Sequence, residues 1–281
     1  MNVLHHTIPI FVLPLVWLVT ASCSVDGAEF RIETAIYDGT ENEPASRLLT
    51  LFAGNQIYDL PMDGSGNVVI LDSKQNRFTL LDHTRGEQTV VAVKRLREHE
   101  QEIGRRARED DLPSWFRELA QPEFKLLAGE IEPFMKLTGS AVTYEVRGTK
   151  FRDNESMQLY FLFADATARL NYFILDWPPQ ARLKLNEALQ TRHLMPVSVL
   201  VSIESRRPLR SPGRDVGVSL QRRFEHQVTW HLTDKDRKQI ARVNRDLSRL
   251  DAVPFNQYLK ATQQGPGSRK LKQNRKEKSS S

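Results

Sequence analysis

Residues 46–93 constrain the fold more than any other stretch of the chain. Five short runs of alternating or doubled apolar residues (47–53, 56–60, 67–72, 77–82 and 88–93) follow one another across Gly, Asp and Asn punctuation. No segment between them reaches the dozen or so residues that a parallel crossover needs, so the runs pair as an antiparallel meander. Doubled pairs such as Ile70-Leu71 and Leu80-Leu81 put an apolar side chain on each face, which calls for cover on both sides of the sheet. Ahead of the meander, Phe30, Ile32, Thr34 and Ile36 alternate with Arg31, Glu33, Ala35 and Tyr37, the pattern of a strand with one buried face.

Beyond the meander, residues 94–110 read as a highly charged, solvated helix. Glu102 with Arg106 and Arg105 with Glu109 stand one turn apart as expected ion pairs, with Leu96 and Ile103 as its anchors. A short helix starts near Pro113, and alternation at 124–127, 131–137 and 141–148 adds three strands. Residues 155–175 are the most apolar stretch after the N-terminal segment and predict a helix with a broad aromatic face, interrupted by Asp165 and Arg169 as an i,i+4 pair. Trp177-Pro178-Pro179 ends it, and 180–191 form another helix. Two long strands, 196–205 and 216–231, flank a loop carrying Arg206, Arg207, Arg210 and Arg214. A cap-like start at Thr233 then opens a helix with Ile240, Val243, Leu247 and Leu250 on one stripe. The expected fold class is α+β: a curved antiparallel sheet, a half-barrel, wrapped around or covered by helices.

The succession LFAGNQIYDL at 51–60 and VVILDSKQNRFTLLD at 68–82 resembles the meander of bacterial periplasmic lipoprotein carriers and their exported relatives. The likeness covers about fifty residues. It implies a half-barrel closed by helices around an apolar concavity, and it carries over no catalytic residues. On that expectation Phe163 and Leu170 of the aromatic helix, with Phe78 and Leu80 of the meander, line a cavity for a lipid or an acylated protein.

Three terminal features bear on location. Residues 8–19 form an apolar run broken by Pro9 and Pro14 and followed by Thr20, Ala21 and Ser22. That run is shorter than the ~20 residues of a membrane span, so residues 1–28 are expected to be a cleaved export signal, with the periplasm or cell envelope as destination. Cys23, the only cysteine, sits where lipidation would tether the mature chain; a removed or free thiol is the alternative. Residues 253–281 are expected to be a disordered basic tail behind a single domain at 29–252.

Charge argues against nucleic acid as a partner. The net charge is +5, and it resides in the tail, where Arg269, Lys270, Lys272, Arg275, Lys276 and Lys278 face only Glu277. A folded nucleic-acid-binding domain carries its own basic face, whereas a tail of this kind suits an anionic membrane surface or no partner at all. The arginine loop suits phosphate head groups or an acidic partner, and serves equally as edge protection.

No local arrangement of residues specifies a reaction. His226 and His231 are an odd number of positions apart on a strand, so they face opposite sides and cannot share a metal. His83, His99 and His193 stand alone, without Asp, Glu or Cys partners at the spacing that a metal site or triad shows locally, and Gly64-Ser65-Gly66 lacks the Lys and hydroxyl residue of a phosphate loop. Two functions follow as expectations: a non-enzymatic, cofactor-free envelope protein that binds an apolar ligand, or a ligand-free envelope interaction domain that docks through its tail or arginine loop.

Overall fold

The meander forms where the sequence places it, as one flank of a sheet that runs through the described residues. The structure, a computed structural model, describes residues 27–64, 66–109, 112–129, 133–175, 177–205 and 218–264. Cys23, Arg206, Arg207, Arg210, Arg214 and residues 265–281 lie outside the described residues. Strands β1 (Glu29–Asp38), β2 (Ser46–Ala53), β3 (Gln56–Pro61), β4 (Val68–Asp72), β5 (Arg77–Asp82) and β6 (Glu87–Ala92) come first. Helices α1 (Val93–Arg106) and α2 (Ser114–Ala120) follow, then β7 (Lys125–Ala128), β8 (Phe134–Thr138) and β9 (Val142–Lys150). Helices α3 (Asn154–Leu175) and α4 (Gln180–Thr191) precede the long strands β10 (Leu194–Ser205) and β11 (Val218–Thr229). Helix α5 (Asp234–Leu247), the short β12 (Asp251–Ala252) and α6 (Phe255–Gln264) complete the described fold.

The 12 strands among the described residues belong to one open sheet, ordered β12-β6-β5-β4-β3-β2-β1-β11-β10-β9-β8-β7. Every pairing is antiparallel except β12 with β6, so the sheet is mixed and the class is α+β. Its two halves meet where β1 pairs with β11, which sets Thr34 opposite His226 and Ile36 opposite Phe224.

The two faces of the sheet are covered differently. Toward one side, Phe30, Ile32, Phe52, Ile57, Leu71, Phe78 and Leu80 join the residues of α3, α4 and α6 in one large core. Toward the other, Leu49, Leu51, Tyr58, Leu60, Val68, Ile70 and Leu81 pack under Leu232, Ile240, Val243 and Leu247 of the α5 region. This is the two-sided burial that the doubled apolar pairs demand. The other half differs: on its outward face Ser198 of β10 donates to Glu225 of β11, Gln221 of β11 donates to Ser202 of β10, and Arg223 pairs with Glu225 along β11.

Helix α3 follows Asp153, whose carboxylate accepts the Ser156 backbone N–H at 2.7 Å. It is apolar around most of its circumference because it lies between the sheet on one side and α1, α4 and α6 on the others. Arg169 pairs with Glu100 of α1 at 2.5 Å as well as reaching Asp165 at 3.9 Å, so the polar break in this helix ties it to α1.

Two expectations need correction. Glu102 pairs with Arg105 rather than Arg106, and Arg105 also reaches Glu109 at 3.5 Å. The folded body also continues past Ala252. Phe255 and Tyr258 of α6 are buried against the core, at 5% and 1% exposure, so the residues just after Ala252 are structure and not tail.

Candidate functional site

Between α3 and the sheet lies a cavity of about 240 Å³. Its floor is built from one face of four adjacent strands. Ile32, Thr34 and Ile36 come from β1, Leu48, Thr50 and Phe52 from β2, Asp59 from β3, and Phe224 and His226 from β11. Two-residue alternation and the β1–β2 and β1–β11 registers put all of these on the α3 side. The roof is a stripe of α3 at helical spacing, Tyr160, Phe163, Ala164, Thr167, Ala168 and Asn171, joined by Arg182 of α4.

The cavity exists because the middle of that stripe is small. Where a core helix usually presents Leu or Phe to a sheet, Ala164, Thr167 and Ala168 leave a gap that Tyr160 and Phe163 close at one end. Phe163 also meets Phe52 edge to face, with ring centroids 5.8 Å apart, and Phe52 stacks on Phe30. Of the four residues expected to line a ligand space, Phe163 lines this cavity. Leu170, Phe78 and Leu80 are 1%, 0% and 2% exposed within the packed core and are not among the residues lining this cavity. Arg206, Arg207, Arg210, Arg214 and Cys23 lie outside the described residues.

Two polar pairs cross the floor. Thr50 donates its hydroxyl to the Asp59 carboxylate at 2.7 Å, and the Thr34 hydroxyl and His226 Nδ1 are 2.9 Å apart. In each case the partners sit directly opposite on neighbouring strands, so the bond follows from register. Burial pushes the Asp59 carboxyl up to about 6, against the opposing hydrogen bond from Thr50. Burial, with the nearby Arg182 charge adding to it, pushes the His226 imidazole down to about 4, so His226 is neutral at pH 7. Tyr160 is likewise held in its phenol form by burial.

This geometry limits the chemistry. Asp59 and His226 stand on strands separated by β1 and β2, roughly 14 Å apart at the ~4.8 Å strand spacing, too far to act as an acid–base pair. Among the described residues no three His, Cys, Asp or Glu side chains are grouped to hold a metal ion. What the walls offer is apolar surface with a few polar groups, the composition of a ligand-binding pocket.

Arg182, Asp59 and the Thr34–His226 pair escape a reading that looks for local motifs. The signal was present in the alternation. Asp59 shares a face with Ile57, and His226 shares one with Phe224 and Val228, so each is a polar residue on a buried register position. Compared with known proteins, the chain matches no family model and no curated protein.

Proposed function

We propose that this chain is a non-catalytic binding protein of the cell envelope that shelters an apolar chain, such as that of a lipid or an acylated protein, between α3 and the sheet. The observation carrying this reading is the gap over Ala164, Thr167 and Ala168 between α3 and the sheet. At about 240 Å³ it falls just under the ~300 Å³ where pockets for drug-sized ligands begin, which suits a single chain better than a bulky cofactor. Each methylene taken from water into such a space contributes about 0.8 kcal/mol, so part of one acyl chain is enough for useful affinity. In the half-barrel form of this proposal the concave side is the one that carries α3, α4 and α6. Export to the periplasm belongs to the same reading and rests on the apolar segment at 8–19. No described helix is long and apolar enough to cross a membrane.

Native mass spectrometry of the protein purified from its host tests the proposal. A co-purifying lipid mass that disappears in an Ala168→Leu variant, which fills the gap, is the expected result. A bare protein mass together with no uptake of a fluorescent fatty acid overturns it.

A further inference from the structure

Arg182 is an unusual occupant for the wall of an apolar cavity. Its Nε donates to Asn186 Oδ1 at 3.2 Å, and among the described residues its guanidinium has no carboxylate within ion-pairing distance. The nearest negative charge is held elsewhere. Asp165 accepts from Asn186 Nδ2 at 2.8 Å and faces Arg169 at 3.9 Å, so Asn186, only 1% exposed, stands between the cation and the anion. A buried amide that spends both its ends in this way fixes the guanidinium while leaving its two terminal nitrogens unengaged. Of the other titratable groups lining the cavity, His226 is held unprotonated and Tyr160 keeps its proton, while Asp59 stands at the β3 end of the floor. On α3, the Thr167 hydroxyl is buried with no hydrogen-bond partner and lines the same space. A half-buried cation with no direct ion-pair partner among the described residues, which reaches Asp165 across Asn186 without pairing to it, stands beside an unsatisfied hydroxyl and carries a desolvation penalty that an incoming anion would relieve.

We propose that Arg182 receives the oxyanion head of a single-chain amphiphile, a fatty acid by chemical class, whose tail lies on the floor of the cavity beneath Ala164 and Ala168. The proposal rests on the carrier reading above and adds to it the identity of the head group. A guanidinium fork matches a carboxylate with two parallel hydrogen bonds, and the Thr167 hydroxyl supplies a third donor on the same wall. Asp59 sets the orientation. It lies at the β3 end of the floor and repels an anion at neutral pH, so the head belongs at the α4 end and the tail toward β3.

Calorimetric titration of the full chain with decanoate and with methyl decanoate at pH 8 decides the question, since the two ligands share a tail and differ in the head, an anionic carboxylate against an uncharged ester one methyl larger. The acid is expected to bind about tenfold or more tightly than the ester, in keeping with a charge-assisted hydrogen bond. In Arg182→Gln that preference is expected to vanish while ester binding persists, and Arg182→Lys is expected to restore part of it. Equal affinities in the unmutated chain, a comparison that needs no variant to fold, overturn the proposal and leave the carrier reading intact. Failure of both ligands to bind sinks the carrier reading itself, and this proposal with it.

Discussion

Folding moves the proton affinities of Asp59 and His226 in opposite directions, the first up from 3.8 to about 6 and the second down from 6.5 to about 4, both chiefly through burial. Between these limits the folded chain holds more protons at Asp59 than the unfolded chain does, so that contribution to stability falls as pH rises and its cost is complete above about pH 6. At His226 the folded chain holds fewer protons, so its contribution is lost as pH falls through the same range and is fully present above about pH 6.5. Each shift corresponds to roughly 3 kcal/mol as a ceiling, since both side chains are only partly buried and line the cavity. The two slopes therefore nearly cancel in the unmutated chain. Asp59→Asn is expected to unmask the histidine, giving stability that climbs with pH between 4 and 6.5 more steeply than in the parent; His226→Gln is expected to tilt the difference the other way. Urea midpoints measured at half-unit steps of pH check both, and variants that keep the parent's profile would refute the assignment. Neither residue announced itself in sequence as part of a site. His226 was legible only as a failed metal ligand, because the partner that gives it a role, Thr34, lies 192 positions away.

Among the elements, α3 was readable almost to the residue. An apolar run bounded by Asp153 and by Trp177-Pro178-Pro179 leaves little freedom for its ends, and the helix spans Asn154–Leu175. What the pattern hid was the gap. Alanines at 164 and 168 look like ordinary helix formers among aromatic neighbours, and only the opposing strands reveal that nothing fills the space over them. A pair of substitutions on this one helix separates space from packing. Leu170→Ala removes a 1% exposed side chain from the packed core and is expected to cost about 2–5 kcal/mol in chemical denaturation. Ala164→Leu places atoms in existing space and is expected to leave stability within about 1 kcal/mol of the parent while abolishing fatty-acid uptake; a loss comparable to that of Leu170→Ala would mean the gap is not room for a ligand. Helix α5 illustrates a different device. Thr233 and Asp236 form a capping box, and Asp236, 0% exposed, also accepts two hydrogen bonds from Arg31 Nη1 at 3.0 and 3.2 Å. The cap thus fastens α5 to β1 over the outer apolar face. Asp236→Ala leaves Arg31 without that carboxylate and is expected to cost about 3–5 kcal/mol, with dye binding to the uncovered Leu49, Leu51 and Tyr58 as the second readout. The Thr233 start and the stripe of Ile240 and Val243 were visible in sequence, whereas the tie to Arg31, 205 positions away, was not.

For the molecule as a whole, legibility follows contact distance along the chain. The hairpins from β2 to β6 join neighbours across turns of a few residues, so local pattern is enough to place them. The β1–β11 pairing that merges the halves into one sheet, and so assembles the cavity floor, joins segments nearly the whole domain apart and leaves no local trace. The C-terminal boundary fails for a related reason. Helix α6 has few apolar anchors in a Gln-containing stretch, and by composition it merges with the basic residues beyond it. Its stability comes from what it meets: Phe255 packs edge to face on Phe173 at 5.4 Å, and the Arg85 guanidinium lies 4.7 Å over the Tyr258 ring and donates to Thr262 at 3.2 Å. Strand β12 adds a parallel pairing of Asp251 with Glu87 at the edge of the sheet. These contacts make residues 251–264 the closing piece of the core, a role that truncation can test. A chain ending at Ala252 loses the burial of Phe255 and Tyr258, each worth about 1.5–3 kcal/mol, together with the cation–π contact. For a domain of this size that predicts a melting temperature about 10 °C or more below that of a chain ending at Gln264. Identical melting of the two forms would return residues 253–264 to the tail.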